Sequence, residues 1–480
     1  MRNKYSLRER RLTPTRLAAA GALAVIVACN SDRLLQVSDP DVARPEALQG
    51  AAALPAQRAG AIGNFGVALN GGASDVEQVH LSALLSDEFI NTETFPTRIE
   101  IDQRAMTLPN TSLIGTFFDL ARARSFADLA VDNYRLSAKT AADSAGFPEV
   151  LSLSGLSYIL FAENYCGAVP ISNANADGTF TFGAAESTIT LLDSAVSKFN
   201  QALAVPAGTP QAPILTATFR QLAQVGKGRA LLDQGKYPEA AAAVAGVSTT
   251  FQYNYVHSET TGRQNNGTWS LTSSVARFGE ANVEGGVGLP YQTDGNLKKT
   301  SGTVDPRVAD SVARRGASNS ALGFDGTTVQ WVQAKYPLRS SLTIIADGVE
   351  ARLIEAEASL QAGDAVTALA TLNALRSNAA LLALRGYPAG SLAPLTLQAT
   401  AAAQQDQLFK ERAYWMYLTS HRLGDMRRLV RQYLRPVNTV FPNGPYFKGG
   451  VYGTDVNVPV PFQEQNNPSY DPSLCKQDAA

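Results

Sequence analysis

Apolar side chains recur at helical spacing over much of the chain, in segments separated by Gly, Pro and polar residues. The clearest segment is 113–134, where Phe117, Leu120, Phe126, Leu129 and Ala130 fall on one predicted helix face. Comparable patterns predict helices over residues 76–90, 149–165, 188–204 and 405–433. The spacing therefore predicts a mainly α-helical protein.

Two segments share one local pattern, in which a helix, a glycine and a second helix follow one another. Residues 229–241 read RALLDQGKYPEAA and residues 357–369 read EASLQAGDAVTAL. The glycine permits a tight turn, and the alanines in the second helix let the helix backbones approach closely. The pattern resembles the helical hairpin of tetratricopeptide (TPR) repeats, although no regular period of about 34 residues runs through the chain. We predict an irregular stack of TPR-like helical hairpins, over residues 46–250 and again over residues 346–435.

Residues 251–345 depart from this helical pattern. They are rich in Gly, Asn, Ser and Thr, and they also contain many aromatic residues. A segment of this length without regular structure is usually functional or disordered, and its aromatic content argues against disorder. We predict a loop-rich lobe containing short strands, followed by a loop-like tail over residues 436–480.

Four side chains of this lobe are candidate ligand contacts. Sugar rings stack their C–H faces on Trp and Tyr, and their hydroxyl groups hydrogen-bond to amides and carboxylates. Asn266 and Trp269 share one predicted turn, and Tyr291 and Trp331 each lie beside a glutamine. We predict ligand contact for Trp269, Tyr291, Trp331 and Asn266. The alternative for Tyr291 and Trp331 is packing inside the lobe.

The N-terminus has the pattern of a secretory signal. Residues 1–16 carry six basic side chains and one acid, and an apolar run of about twelve residues, too short to span a bilayer, precedes Cys29. Ile-Val-Ala-Cys at residues 26–29 resembles the bacterial lipobox, which implies cleavage after residue 28 and a lipid on Cys29. Residues 29–45 would then form a polar tether. A plain signal peptide with an incidental Cys29 is the alternative.

Composition excludes some classes of partner. The formal charge is −1, and loss of residues 1–28 would bring it near −6. No basic stripe with interleaved aromatic residues occurs, so we expect no nucleic-acid binding.

The sequence offers no catalytic or metal-binding pattern. Only three histidines are present, and the HExxH, P-loop and G-x-S-x-G motifs are absent. We therefore predict a protein that is not an enzyme and has no metal or cofactor. His257 could touch a ligand, whereas His421 is expected to be a surface or capping histidine and Trp415 to lie in the core. The arginines 422, 427, 428 and 431 are expected on a solvated helix face, with contact to a partner or to the tail as the alternative.

Cys166 and Cys475 would remain as a pair once Cys29 carries a lipid. In the oxidising compartment that a secretory signal implies, such a pair favours a disulfide. Two thiols that never meet are the alternative.

Several segments resemble the SusD/RagB family of outer-membrane nutrient-binding lipoproteins, in the family's order. They are NYCGAVPIS at 164–172, DPR at 305–307, EARLIEAEASLQAGD at 350–364, FKERAYWMYLTSHRLGDMRRL at 409–429 and VPVPFQEQNNP at 458–468. The acids of the family's "E…EG" segment are missing, because residues 414–419 read YWMYLT.

The resemblance implies a lipid-anchored protein on the cell-surface side of the outer membrane. Such a protein captures a glycan or peptide and passes it to a partner TonB-dependent transporter of the SusC type. Two other roles stay open at this point. One is a TPR scaffold lipoprotein for envelope assembly, and the other is a glycan hydrolase with an unrecognised site.

Overall fold

The computed structural model describes residues 50–72, 76–140, 142–174, 179–206, 213–281, 288–312 and 321–480. Residues 49–480 belong to one compact unit. The predicted signal segment 1–28, Cys29 and the tether to residue 45 lie outside the described residues.

Helices dominate the described residues, and the strands are two to five residues long. The helices are α1 (Leu54–Asn70), α2 (Gln78–Leu85), α3 (Pro96–Asp102), α4 (Thr111–Ser137), α5 (Phe147–Asn164), α6 (Thr188–Ala204), α7 (Pro213–Asp233), α8 (Tyr237–Val244), α9 (Gly267–Trp269), α10 (Tyr291–Gly295), α11 (Gly348–Gln361), α12 (Ala365–Ser377), α13 (Ala379–Leu384), α14 (Ala401–Trp415) and α15 (Arg422–Arg431). The strands are β1 (Phe89–Asn91), β2 (Val169–Pro170), β3 (Asn173–Ala174), β4 (Phe180–Thr181), β5 (Ala185–Glu186), β6 (Gln252–Tyr255), β7 (Phe278–Glu280), β8 (Asp310–Val312), β9 (Trp331–Gln333) and β10 (Thr343–Asp347).

Eight of these helices form four stacked pairs, α1 with α4, α5 with α6, α7 with α8, and α11 with α12. The first helices of successive pairs also touch, α1 with α5, α5 with α7, and α7 with α11. Each pair buries its apolar side chains against the next pair, so the core runs along the whole stack. The predicted mainly α architecture with stacked helix pairs is confirmed.

The two glycine turns predicted from the sequence join α7 to α8 and α11 to α12. Gly235 and Gly363 have φ values of 73° and 83°, which a residue with a Cβ adopts only at a cost. After each glycine, a backbone N–H donates to a carbonyl five residues earlier, Lys236 to Leu231 and Asp364 to Ser359, both at 2.9 Å. This is the Schellman arrangement that ends a helix.

Two residues on the predicted apolar face of helix α4 are exposed instead of buried. Phe117, Leu120 and Ala130 are buried, but Phe126 and Leu129 are each 43% exposed. Helices α1 and α5 cover only part of the circumference of α4, so the predicted stripe was too wide.

The prediction of a solvated arginine face on α15 is wrong. Arg422, Arg427 and Arg428 are all buried, and His421 is buried as well, 3.2 Å from Glu350. Charged side chains are buried only where partners compensate the lost hydration, and here the neighbouring helices supply those partners.

Arg428 is the centre of this buried charge cluster. Its guanidinium contacts Asp233 of α7 at 2.9 Å, Glu357 of α11 at 3.0 Å and Asp425 of α15 at 2.8 Å. Arg412 of α14 makes two further hydrogen bonds to Asp425, at 3.0 and 2.9 Å. One guanidinium therefore joins the third and fourth helix pairs to α15.

Arg427 connects the same helix to the second pair. Its Nη1 donates to the carbonyl oxygens of Ala162, Glu163 and Tyr165 at the end of α5, at 2.8, 2.6 and 3.1 Å. A cation at this end of a helix satisfies carbonyls that have no helical partner. Burial and the neighbouring Arg431 lower the pKa of Arg427 to about 9.

The described residues contain five antiparallel two-stranded ladders, and three of them include strands of the loop-rich lobe. Strand β6 pairs with β10 at the two ends of the lobe, with Tyr255 opposite Thr343 and Gln252 opposite Asp347. Strand β10 continues directly into α11, so this ladder fixes the lobe to the helix stack. Strand β1 pairs with β7, and β8 with β9, inside the lobe.

The tail after residue 436 is loop-like, with short 3-10 turns, and it packs back onto the stack. The amide of Val458 donates to Asn164 O at 2.8 Å, and that of Cys166 donates to Val458 O at 2.9 Å. A disulfide joins Cys166 to Cys475, with the two Cα atoms 4.7 Å apart.

One helical stretch, 143–164, is long and apolar enough to cross a membrane by length and composition alone. Most of it is α5, and 89% of its most apolar window is buried inside the protein. Such burial is typical of an interior helix of a globular core.

Arg428→Met tests the buried charge cluster. It leaves three carboxylates without their shared counterion, and loss of one partner of a buried ion pair costs about 3–5 kcal/mol. We expect the free energy of unfolding in urea to fall by this amount. Arg135→Met, at an exposed arginine of α4, should change it by less than about 0.5 kcal/mol. A loss at Arg428 as small as that of the control would contradict this role.

A buried carboxyl pair makes stability depend on pH. The carboxyl groups of Glu280 and Asp310 interact electrostatically, and both side chains are buried. Burial raises the pKa of Asp310 to about 7, and burial with the adjacent Asp310 raises the pKa of Glu280. Both values are about 4 in an unfolded chain.

The folded protein therefore keeps a proton that the unfolded chain loses between about pH 4 and pH 7, so stability should fall as pH rises through this range. Glu280→Gln should flatten that decline, because the amide can donate to an ionised Asp310. Urea unfolding at several pH values measures how the free energy of unfolding declines with pH in each protein. The exposed Glu239→Gln serves as control, and equal slopes in both variants would refute the assignment.

Candidate ligand-binding site

A cleft of about 490 Å³ in the loop-rich lobe is lined by residues from several separate segments. Phe95 and Arg98 come from the start of α3, Trp269 from α9, Arg277 from the position directly before β7, and Arg339 from the loop before β10. We call this the Trp269 cleft.

Trp269 is placed by a network centred on Asn266. The Asn266 side chain accepts a hydrogen bond from Trp269 N at 2.9 Å and donates to Ser341 O at 3.1 Å. Its own amide donates to Arg339 O at 2.8 Å. A Cβ on Gly267 would lie 1.8 Å from Gly71 O, so only glycine allows this close approach of α9 to α1.

Cations lie over the two aromatic rings that line the cleft, Phe95 and Trp269, and over Phe324 next to Arg277. The Arg277 Cζ atom lies 4.8 Å from the Phe95 ring centre and 4.4 Å from that of Phe324. Arg98 lies 5.2 Å from Phe95, and Arg339 lies 5.2 Å from Trp269. These distances are those of cation–π contacts.

Two of these arginines share the buried carboxylate of Glu93. Its oxygens lie 3.0 Å from Arg98 Nη1 and 2.5 Å from Arg277 Nη1.

Lys448 of the C-terminal tail donates to Glu93 O and contacts Asp325 at 2.8 Å. Burial disfavours ionised Asp325, but hydrogen bonds from Lys448 and from the amides of residues 327 and 328 outweigh it and hold the pKa of Asp325 well below its usual range. The tail thus supports one wall of the cleft.

No protein-family model matches the sequence, and no curated protein matches it either. Solved structures do match. A SusD-like carbohydrate-binding protein from Bacteroides fragilis aligns over 88% of this chain and 99% of its own length, at 16% identity and a TM-score of 0.57. A laminarin-binding SusD-like protein aligns over 88% and 98%, at 14% identity and a TM-score of 0.57. A SusD superfamily protein from Bacteroides thetaiotaomicron aligns over 78% and 88%, at 13% identity and a TM-score of 0.56.

The chain has a SusD-like fold. The likeness extends over most of this chain and nearly the whole of two of these proteins.

The four predicted contact residues fall in different places within this SusD-like fold. Trp269 is half-buried and lines the cleft. Asn266 is buried and positions Trp269. Tyr291 is fully buried, with its ring centre 5.6 Å from that of Tyr414 and 5.4 Å from that of Tyr417. Trp331 is half-buried on β9 and does not line the Trp269 cleft.

His257, the further candidate from the sequence, is also buried. Its Nε2 lies 2.8 Å from Thr343 Oγ1 and its Nδ1 lies 3.2 Å from Gln264 O. Burial lowers the pKa of His257 to about 4. It is therefore a neutral side chain that holds the ends of the lobe together.

Sequence reasoning missed Phe95, Arg277, Phe324 and Arg339. Their only local signal is the aromatic content of the loops, and Phe95 lies outside the predicted lobe. Phe95 and Phe324 are 45% and 40% exposed, which is high for large aromatic side chains.

A larger cleft of about 770 Å³ lies between α14 and the segment around Arg307. Its charges pair with one another, since Glu411 contacts both Arg307 and Arg376 at 2.7 Å. The one aromatic ring among its described lining residues, Phe409, is buried. Within the described residues, no group of three or more His, Cys, Asp or Glu side chains is arranged to hold a metal ion. The Trp269 cleft is therefore the better candidate for a ligand.

Proposed function

We propose that this chain is a carbohydrate-binding protein of the SusD/RagB family, not an enzyme, and that the Trp269 cleft holds its ligand. The observation that carries the proposal is the SusD-like fold over 88% of the chain, shared with one protein described as carbohydrate-binding and one described as laminarin-binding. The five sequence segments that resemble this family support it independently.

The chemistry of the cleft supports an oligosaccharide as the ligand. Half-exposed aromatic rings offer apolar surfaces to sugar C–H groups, and Asn265, Ser270 and Glu259 bring polar groups to the same cleft. Such sites combine apolar surface with a few placed polar groups, and they lie on loops held by a rigid scaffold.

We further propose that a lipid on Cys29 anchors the protein to the outer membrane, facing the cell surface, where it passes its ligand to a TonB-dependent transporter of the SusC type. The lipobox-like segment 26–29 supports the anchor, and the family resemblance supports the partner. The scaffold role has no observation in its favour beyond the helix pairs themselves.

Trp269→Ala tests the ligand site. Removing the ring should weaken oligosaccharide binding at least about tenfold, which equals ~1.4 kcal/mol. Isothermal titration of the mature chain with a panel of oligosaccharides that includes laminarin fragments measures this. Trp331→Ala removes an equally large half-buried ring outside the cleft and should bind normally, with circular dichroism confirming both folds. Equal affinity of the two variants would place the site elsewhere.

A mild-detergent pull-down from outer membranes tests the partner. We expect the native lipoprotein to bring down a large β-barrel transporter in equal amount, identified by mass spectrometry. Cys29→Ala should appear in the soluble fraction, because it has no residue to carry the lipid. Recovery with periplasmic assembly factors and no barrel would favour the scaffold role instead.

A further inference from the structure

We propose that the Trp269 cleft selects oligosaccharides that carry carboxylate groups, such as uronic acids. This inference rests on the proposed carbohydrate-binding function and narrows the class of its ligand. It follows from the position of the arginine side chains relative to the aromatic rings.

The rings of the cleft already have guanidinium partners. Arg277 lies between Phe95 and Phe324, and Arg339 lies over Trp269. A guanidinium stacked on a ring takes up part of the face on which a neutral sugar would stack. A ligand that binds here therefore contacts an aromatic ring and a guanidinium group at the same place.

A stacked guanidinium still presents N–H donors along its edge. Those donors match the two oxygens of a carboxylate, and such charge-assisted pairs are stronger than hydrogen bonds between neutral groups. A sugar with a carboxylate can therefore use both surfaces, its C–H groups on the exposed part of the ring and its carboxylate on the guanidinium edge.

Arg339 is the best placed of these donors. Its side chain is exposed, and within the described residues its guanidinium makes no ion pair or hydrogen bond, only the contact with Trp269. Arg277 has one Nη on Glu93, and its Cζ atom lies 4.4 Å from the Phe324 ring centre. Two arginines thus line the cleft, each beside an aromatic ring.

The balance of charge in the cleft is positive. Arg98, Arg277 and Arg339 line it, and Glu259 is the one acidic residue among its described lining residues. Glu93 lies behind the wall and compensates part of the charge of Arg98 and Arg277. The rest of the mature chain is acidic, so this positive cleft stands out from the protein's overall charge.

The main comparison in the experiment is between an acidic oligosaccharide and its neutral methyl ester. Isothermal titration of the mature chain would use oligogalacturonate and its fully methyl-esterified form, together with oligomannuronate and neutral laminarin fragments. We expect a uronate to bind at least about tenfold more tightly than the ester and the neutral glucan, and its affinity to fall as salt rises from 50 to 500 mM.

Two variants assign the effect to the cleft. Arg339→Gln should bring the uronate affinity close to that of the neutral ligands, while Arg339→Lys, which keeps the charge but loses the planar fork, should recover part of it. Arg135→Gln makes the same change of charge on α4, outside the cleft, and should leave binding unchanged.

The outcomes separate this inference from the function on which it rests. Binding of the neutral or esterified ligands as tight as that of the uronates would overturn the acidic preference and leave the carbohydrate-binding function in place. Uronate binding that Arg339→Gln does not weaken would also overturn it. Absence of binding to every oligosaccharide tested would count against the proposed function itself.

Discussion

The buried guanidinium of Arg428 is the interaction on which the rest of the structure depends. It contacts carboxylates from α7, α11 and α15. Stacked helix pairs can slide along one another at little cost, because apolar contacts have no direction. A buried cation that needs three carboxylates at fixed positions permits only one arrangement of the helices that carry them. The cost of its dehydration thereby specifies how the later helix pairs dock on α15.

This rigidity lets the loops carry the candidate ligand site. Phe95, Trp269, Arg277 and Arg339 come from segments without long helices, yet each is held by a fixed element, the α3 start, the Asn266 network, the β1–β7 ladder or the β6–β10 base. The C-terminal tail adds Lys448 beneath the same wall. Binding surfaces on loops are effective when the scaffold beneath them does not move.

The features that could be predicted from the sequence are those set by residues close together along the chain. The glycine turns at 235 and 363 and the alternation of helix and loop are local, so spacing was enough to find them. The arginines of α15 were misassigned because their partners, Asp233 and Glu357, come from distant helices that no local pattern reveals. Phe95 and Phe324 meet over one guanidinium although 229 positions separate them in sequence. Trp269 could be singled out from the sequence because its ring and its capping asparagine share one turn, and it stays a predicted ligand contact that lines the cleft.

The disulfide between Cys166 and Cys475 closes a covalent ring around 309 positions of the chain. The ring includes the whole loop-rich lobe, the last two helix pairs and most of the tail. A protease that cuts once within any of these loops would open the ring without releasing a fragment, since both ends stay tied through the bridge. Long surface loops are exposed to such cuts. The bond therefore allows a nicked molecule to remain a single piece with the candidate ligand site attached.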